Sequence, residues 1–447
     1  MRHWMDIMYE QLRLQPLIKE LKQVFDEFPD ERTGKNSQYE MADAGLGAFS
    51  VFFIQCASFL EHQEEMKRTK GRSNAESLFE MMNIPSDNQI RGLLDPVLPK
   101  LLTPMYRIIF QRLEQAGILD QIRSHAKSLL IAVDGTEYFS SQKIHCQNCS
   151  HRELANGNIN YFHSVLTPVI VQAGNENVIS LEPEFITPQD GHEKQDCEIE
   201  AGKRWIGTHG DYYAKRNVTI LGDDLFSRQP FCQALKDKKM HFILVCKPDS
   251  HPHLYESVAF LAAQGVLGTY RKRVWNGKHG EIYTYRYANH LPLRQAQGGD
   301  IEAMQVNWAE LTIIHEETGE VIYKNAFITD FEVKETTVEA IVRDGRSRWK
   351  VENENNNVLK TKGYHLEHNF GHGNQYLSSL LLSLNLLAFL FHTVLGLVDE
   401  KYRLLRQALR KRQKFFQDME TLLQYLLFDS WDDLFSFMCK GLELDTS

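Results

Sequence analysis

The sequence lacks the features that would place it outside the cytoplasm. Its N-terminal residues, MRHWMDIMYEQLRLQP, include acidic residues and no long apolar run, which is unlike a secretory signal. Its seven cysteines are an odd number and are scattered, apart from Cys146 and Cys149. This usage is typical of a reduced protein rather than of a disulfide framework. We therefore expect a cytoplasmic protein.

Excess positive charge is also missing, because 50 Lys and Arg residues stand against 59 Asp and Glu residues, for a net charge of −9. Duplex binding depends largely on Lys and Arg at phosphates, so the balance excludes a protein that coats DNA by bulk charge. Local basic runs do occur, each of which is by default a solvated surface. They are residues 67–72, 271–273, 343–350 and 403–414.

Only one apolar run is long enough to cross a membrane, at Leu377–Val398. It contains Ser378, Asn385 and His392, and a very polar segment directly precedes it. A helix buried in the core is therefore the better interpretation, and we expect no membrane partner.

The N-terminal quarter, residues 1–125, has helical patterns throughout. Two capping-box signals lie within it, Ser73-Asn-Ala-Glu76 and Ser86-Asp-Asn-Gln89. The two short helices that these signals predict form either a helix-turn-helix that binds a DNA end or a plain helical hairpin. The hairpin is favoured, because neither helix carries a basic reading face.

Short apolar strands alternate with helical segments after residue 125, which predicts an α/β fold. The predicted core comprises residues 126–251 and 325–400, with strands at 129–133, 218–222 and 241–246. Residues 252–324 are rich in Tyr, Arg and Gly and end in a hairpin signal. We predict that they leave the core sheet as a separate, mainly β insertion, and that residues 401–447 form a helical tail.

Three acidic residues stand at the ends of these elements. Asp134 and Asp223 directly follow predicted buried strands, and Glu352 lies in a predicted helix. They are separated by 223 − 134 = 89 and 352 − 223 = 129 residues. Acids at the ends of adjacent strands converge in space, and carboxylate oxygens are the ligands that Mg²⁺ prefers. Each Asp taken alone is more simply a turn residue.

The segment around Glu352 resembles that of the DDE transposases of bacterial insertion sequences, in the branch with a Tyr-x2-Arg-x3-Glu-x6-Lys signature. Arg348 and Glu352 match its Arg-x3-Glu. The family's Ile/Val-x-x-Asp-Gly motif matches residues 131–135, and its Asp-x-x-Phe/Tyr-Ser motif matches residues 223–227. The resemblance covers roughly residues 129–391.

The match departs from the signature at two places. Its Tyr falls at Gly345, and its Lys falls at Leu359, one position before Lys360. Two neighbouring acids, Asp224 and Glu354, compete with the matched ones. The motif spacing favours Asp223 and Glu352 over them.

The resemblance implies a ribonuclease-H-like mixed sheet with flanking helices, and DNA transposase activity. The carboxylates of Asp134, Asp223 and Glu352 would bind two Mg²⁺ ions, with Mn²⁺ as a substitute. The reaction would be cleavage at the transposon ends followed by strand transfer. The implied partners are double-stranded DNA, both transposon ends and target, and a second copy of the chain in a synaptic complex.

Basic residues near the last acid are expected to contact phosphates. Arg348 is the first candidate, because its planar fork accepts two phosphate oxygens, and Lys360, Arg346 and Lys350 are further candidates. The family's β insertion holds the transposon end, in some members with an aromatic ring on an extruded base. Trp275 and Trp308 are candidates for that ring, although ordinary packing is the simpler interpretation of each.

Two other functions compete with transposition. A transposase-derived protein that only binds DNA would be expected to lose its acids, and all three are present. A ribonuclease-H-like nuclease without strand transfer would keep them. Only the predicted β insertion and the Arg-x3-Glu context favour a transposase over such a nuclease.

Some residues stay open. Cys146 and Cys149 suggest zinc, but a structural site requires four ligands; His145 and His151 would complete it within one short loop. A plain loop is the simpler interpretation. Three histidines close to the predicted catalytic helix are either lining residues of a DNA channel or surface residues: His365, His368 and His372. Asp196 and Glu198 are acids of a predicted helix with no pattern that ties them to the site.

Overall fold

The computed structural model describes residues 2–33, 38–188, 197–295 and 302–445, without the side chains of residues 2–6 and 69–72. The helices are α1 (Arg2–Gln11), α2 (Leu14–Asp26), α3 (Met41–Ile54), α4 (Phe59–Met66), α5 (Thr69–Phe79), α6 (Asp87–Leu94), α7 (Thr103–Gln115), α8 (Ile118–Gln121), α9 (Glu198–Ala214), α10 (Gln229–Asp237), α11 (Pro252–Ala263), α12 (Val338–Arg346), α13 (Asn357–Thr361), α14 (Leu377–Val398), α15 (Glu400–Ala408), α16 (Arg412–Tyr425) and α17 (Trp431–Gly441). A π-helical segment, Val351–Asn356, joins the region after α12 to α13.

The strands are β1 (Leu129–Ala132), β2 (Gly135–Ser141), β3 (Ser150–Glu153), β4 (Ile159–Leu166), β5 (Val169–Val171), β6 (Ile179–Ser180), β7 (Glu184–Ile186), β8 (Val218–Gly222), β9 (His241–Val245), β10 (Gly268–Trp275), β11 (Gly280–Pro292), β12 (Gln305–His315) and β13 (Val321–Thr329). Nine of them form one sheet in the order β10-β11-β12-β13-β9-β8-β1-β5-β6. The three central strands β9, β8 and β1 are parallel, and the other pairs are antiparallel.

The main sheet separates two hydrophobic cores. Leu129 and Ile131 of β1 pack into one core, and Leu130 and Ala132 pack into the other. Successive side chains of a strand point to opposite faces, so a strand covered on both faces must be apolar at every position. That requirement explains the uninterrupted apolar runs of β1, β8 and β9, and it confirms the predicted α/β class.

The predicted separate β insertion is wrong. Residues 252–324 begin with the helix α11, and the strands that follow extend the main sheet instead of leaving it. The physical reason is that β13 runs without interruption from the insertion into the core. Its Phe327–Thr329 end pairs with Ile243–Val245 of β9, so its other neighbour β12 is added to the same sheet.

A second, four-stranded sheet lies beside the start of the core. β4 is at its centre, with β2, β3 and β7 paired to it. β2 begins at Gly135, directly after the end of β1, so this sheet is attached to the main sheet at Asp134.

The N-terminal and C-terminal helices pack on the core together. The capping box at Ser86 and Gln89 is confirmed at the start of α6. The one at Ser73 is wrong, because α5 begins four residues earlier at Thr69. Phe79 of α5 and Ile90 of α6 are fully buried. The two helices pack on different neighbours, α5 on α4 and α16 and α6 on α3, and not on each other as in the favoured helical hairpin.

The long helix α14 meets the length and hydropathy of a membrane span, but 83% of its most apolar window is buried inside the protein. It packs against α3, whose residues are all buried. The side chain of Asn385 donates to the backbone oxygen of Tyr364 at 2.7 Å, so one of its polar groups is bonded inside the core. The prediction of a buried core helix is confirmed.

Candidate active site

The first two acids meet at one edge of the main sheet. β1 and β8 are adjacent parallel strands, with Ala132 opposite Leu221. Asp134 and Asp223 follow the same ends of these two strands, so both lie at one edge. The negative charge of Asp223 contributes to raising the pKa of Asp134, which places the two carboxylates within electrostatic range.

Glu352 reaches the same edge from the π-helical segment. Among the charges around Asp134, that of Glu352 has the largest effect on its pKa, which favours it over Glu354. Four residues further along, Asn356 donates a hydrogen bond from Nδ2 to Oδ2 of Asp134 at 3.1 Å. The segment is therefore anchored to the end of β1 by Asn356 and presents Glu352 beside it.

Buried amide and hydroxyl groups hold the π-helical segment in place. Thr167 donates from Oγ1 to Oδ1 of Asn356 at 2.9 Å, and Asn355 donates to the same oxygen at 3.0 Å. Thr167 also donates from its backbone N–H to the backbone oxygen of Asp134 at 3.0 Å. π-Helical insertions are rare and occur often at functional sites, where the extra residue changes the direction of a side chain. Here the network fixes the orientation of the Asp134 carboxylate.

The pKa of Asp134 is raised from 3.8 to about 7, first by burial and then by the negative charges of Glu352, Glu198 and Asp223. The positive charge of Arg348 opposes this shift. The site thus concentrates negative charge in a partly dry environment with one nearby cation. A divalent ion would relieve that repulsion, so the donor set suits Mg²⁺ or Mn²⁺.

The three predicted carboxylates lie near one another but do not form one compact group of metal ligands. Among the described residues, the ligand oxygens of Asp134, Asp223 and Glu352 do not all lie within 4.8 Å of one another. Instead, Glu352 is bound to Arg348, with Oε1 at 2.5 Å from Nη1, and its side chain is 48% exposed. A shared metal ion therefore requires a rotation of Glu352 toward the strand ends.

A fourth carboxylate, Glu198, belongs to the site. It is the first residue of α9, and its pKa is raised by burial and by the charge of Asp223. A Cβ atom on Gly135 would lie 2.3 Å from the Cδ atom of Glu198, so an alanine at this position would push the end of the Glu198 side chain aside. The glycine that follows Asp134 is the sequence feature that leaves room for this carboxylate. Asp196, the other open candidate, lies outside the described residues.

The choice between Asp223 and Asp224 is decided by hydrogen bonds. Asp224 accepts one from the backbone N–H of Lys247 at 2.6 Å and another from the hydroxyl of Ser250. Both carboxylate oxygens of Asp224 thus accept hydrogen bonds from the loop that follows β9. Asp223 accepts one from the backbone N–H of Leu225 at 2.9 Å while its charge acts on the other acids. The geometry favours Asp223 as the site residue.

The basic residues that were expected to contact phosphates lie in different environments. Arg348 shares a face with Glu352, because the two are paired four residues apart. Arg346 lies over the ring of Tyr323, with its guanidinium carbon 4.5 Å from the ring centre. Lys350 is 4% exposed, so the prediction that it contacts DNA is wrong. Lys350 lies two positions after Arg348 on a helical segment. Its side chain therefore points into the protein and does not share the surface on which Arg348 lies.

Lys360 is paired with Glu367 at 2.9 Å. The two tryptophans also differ. Trp308 is fully buried, which makes it a packing residue and excludes base stacking, whereas Trp275 is 62% exposed at the end of the edge strand β10.

The basic runs are only partly available to DNA. On β10, Arg271 is exposed, whereas Lys272 and Arg273 are paired with Glu339 and Glu316. In the C-terminal run, Arg412 donates to the hydroxyl of Tyr364 at 2.8 Å, and the guanidinium of Arg406 lies 5.2 Å from the ring centre of Phe415. Side chains 69–72 of the first run lie outside the described residues.

The three histidines that follow the π-helical segment lie in different environments. His372 is buried and lies against Cys149, with Nε2 3.6 Å from Sγ. His368 is a surface residue beside the ring of Phe370, and His365 has a pKa lowered by burial and by the charge of His368. His145 stacks on Tyr161. These placements exclude His372 from any DNA channel.

Comparison with models of known protein families finds none that matches the chain. Comparison with curated proteins likewise finds no match.

Proposed function

We propose that the chain is a DDE-type DNA transposase, which cleaves phosphodiester bonds at transposon ends and joins them to target DNA on a ribonuclease-H-like core. The observation that carries the proposal is that Asp134 and Asp223 follow the same ends of two adjacent parallel strands, while Glu352 acts on the pKa of Asp134 from the π-helical segment. The order strand-Asp, strand-Asp, β-rich segment and helical Glu is also that of the family which the sequence resembles, although here the β-rich segment extends the main sheet. The mixed sheet β6-β5-β1-β8-β9 supports the ribonuclease-H-like core.

Each residue of the site would have its own role in the proposed reaction. Bound divalent cations would supply Lewis acidity at the scissile phosphate. Asn356 keeps one Asp134 oxygen fixed, so that the other is directed to the ion-binding edge. Glu352 leaves Arg348 when it turns toward the strand ends, and the freed guanidinium then meets a phosphate with two parallel hydrogen bonds. Ion binding and phosphate binding are thereby coupled through one ion pair.

The test is a nicking assay on supercoiled plasmid that carries the coding region with its natural flanking DNA. Wild-type protein should nick this plasmid with Mg²⁺ or Mn²⁺ and not with EDTA. Asp134→Asn, Asp223→Asn and Glu352→Gln should each lose at least roughly 100-fold in rate, the scale of losing one group that stabilises a transition state. Glu354→Gln is the matched control, because it removes an equal charge two positions from Glu352.

Joined products separate transposition from simple cleavage. A transposase transfers the freed 3′-hydroxyl end to a second labelled DNA molecule, whereas a nuclease leaves only hydrolysed ends. Hydrolysis without joining would replace our proposal by a nuclease. Wild-type nicking rates in all three acid variants would contradict both the transposase and the nuclease.

A further inference from the structure

Four metal-binding side chains meet away from the carboxylates. Cys146 and Cys149 lie in the loop between β2 and β3, His163 lies on β4, and His372 lies in the segment before α14. Their ligand atoms are all within 4.8 Å of one another. Cys149, His163 and His372 are buried, and Cys146 is partly buried. The sequence suggested the two cysteines but paired them with the wrong histidines, His145 and His151.

The spacing of these atoms is that of a tetrahedron around one ion. The two Sγ atoms are 3.9 Å apart, and Nε2 of His163 is 3.6 Å from Sγ of Cys146 and 3.4 Å from Sγ of Cys149. Nε2 of His372 is 3.6 Å from Sγ of Cys149. Zinc bonds of ~2.3 Å to sulfur and ~2.05 Å to nitrogen at tetrahedral angles give edges of about 3.8 Å between sulfurs and about 3.6 Å between sulfur and nitrogen.

Ordinary packing does not account for the arrangement. His372 is 8% exposed, its Nδ1 has no hydrogen-bond partner, and its Nε2 points at a thiol, which is a weak partner. A buried imidazole without strong hydrogen bonds is costly unless something else binds it. A disulfide does not explain the group either, because its sulfurs would be ~2.05 Å apart and it would leave both histidines unused.

The loop also has features that stabilise thiolate, the form of cysteine that binds metals. The backbone N–H of Cys146 donates to Sγ of Cys149 at 3.4 Å.

We propose that Cys146, Cys149, His163 and His372 form a structural zinc site. Four protein ligands close the coordination shell and leave no position for a substrate, which distinguishes a structural site from a catalytic one. The site is separate from the carboxylates that would bind Mg²⁺, and it does not depend on the proposed transposase activity.

The position of the site in the chain indicates what zinc would do. β2 starts immediately after Asp134, and His372 lies in the segment that follows Glu352 and α13. One ion would therefore join the second sheet to the chain that leaves the π-helical segment. That link holds the two sides of the carboxylate edge together, in a reduced compartment where a disulfide would not persist.

The experiment measures metal in the full-length protein, purified without chelators and under reducing conditions. We expect about one zinc per chain by inductively coupled plasma mass spectrometry. Protein loaded with Co²⁺ in place of zinc should show the visible absorption of a tetrahedral site and a thiolate-to-cobalt charge-transfer band. These two measurements require no variant, so they remain decisive even if a ligand variant fails to fold.

Variants then assign the ligands. Cys146→Ser and His372→Ala should reduce the bound zinc to near zero and abolish the cobalt spectrum, with circular dichroism as the check of folding. His145→Ala and His151→Ala are matched controls in the same region and should keep one zinc per chain. The proposal is overturned if the wild-type protein contains no zinc and binds no cobalt. A Cys146–Cys149 disulfide in the reduced preparation would also overturn it, as would zinc that is lost from the control variants and kept by His372→Ala.

Discussion

Replacement of Asp134 by Asn should stabilise the metal-free protein, although it removes a central residue of the candidate active site. The carboxyl has its pKa raised from 3.8 to about 7 by burial and by the neighbouring acids Glu352, Glu198 and Asp223. The difference is about 3 pKa units, and each unit corresponds to about 1.36 kcal/mol, so the ionised carboxylate costs about 4 kcal/mol. An Asn side chain keeps an oxygen for the bond from Asn356 and carries no charge.

The sign of the pH dependence follows from the direction of the shift. Because the folded-state pKa of Asp134 is raised, the folded protein binds the proton more tightly than the unfolded chain does. The contribution of Asp134 to the free energy of unfolding is therefore fully present below about pH 4 and is lost as the pH rises through about 7. The Asn variant has no such loss, so its advantage should be about 4 kcal/mol at pH 8 and about 2 kcal/mol at pH 5.

Urea unfolding in EDTA, followed by tryptophan fluorescence at both pH values, measures this difference. Addition of Mn²⁺ should then stabilise the wild-type protein and leave Asp134→Asn unchanged, because binding to the folded state alone raises stability. Asp224→Asn is the control, and it should destabilise the protein because both Asp224 oxygens accept hydrogen bonds. An Asp134→Asn protein no more stable than wild type at pH 8, or an advantage equal at both pH values, would refute the reasoning.

Three further predictions concern the surroundings of the acids. Arg348→Ala should lower the nicking rate roughly 100-fold, as loss of a group that binds the reacting phosphate does, whereas Arg343→Ala should cleave near the wild-type rate; equal rates would move the DNA path elsewhere. Asn356→Ala should weaken Mn²⁺ binding about 10- to 100-fold in calorimetry, the scale for a group that orients a metal ligand, and unchanged affinity would contradict that role. Gly135→Ala should weaken Mn²⁺ binding in calorimetry, because its Cβ would overlap the end of the Glu198 side chain and displace that carboxylate, whereas Gly207→Ala, with open space around it, should bind Mn²⁺ as the wild type does; equal affinities would show that the close approach is unimportant.

The strand ends that carry the acids were predictable from sequence for a physical reason. β1, β8 and β9 are covered on both faces, so their sequences are short uninterrupted apolar runs, and each predicted strand coincides with an observed one to within a residue. The acidic residue after each run marks the point where the chain leaves the core. Asp134 and Asp223 could therefore be placed at strand ends without any knowledge of the sheet order.

Strand pairing was not predictable in the same way. The alternating residues of β12 and β13 indicated strands, and both strands are present. Sequence patterns do not specify which edge a strand joins, because backbone hydrogen bonds are the same for any partner. Only the pairing of Phe327 with Val245 shows that the insertion belongs to the main sheet.

The sequence also did not show which side chains come together at the proposed zinc site. Cys146 and His163 are 17 residues apart, and Cys149 and His372 are 223 residues apart. Sequence reasoning therefore turned to the nearest histidines, which are the wrong ones. The inward direction of Lys350 was also missed, since its basic character suggested solvent and only the fold buries it.

The unbroken main sheet also gives the protein a fixed length scale. Six strand-to-strand steps separate the edge strand β10, with its exposed Arg271 and Trp275, from β1, whose end carries Asp134. At about 4.8 Å a step this is about 29 Å, which corresponds to roughly eight or nine base pairs of duplex at 3.4 Å each. Because every step is a ladder of backbone hydrogen bonds, the distance changes little when loops vary. In the transposase proposed above, DNA held at β10 would be cut roughly eight or nine base pairs from the point where it is held.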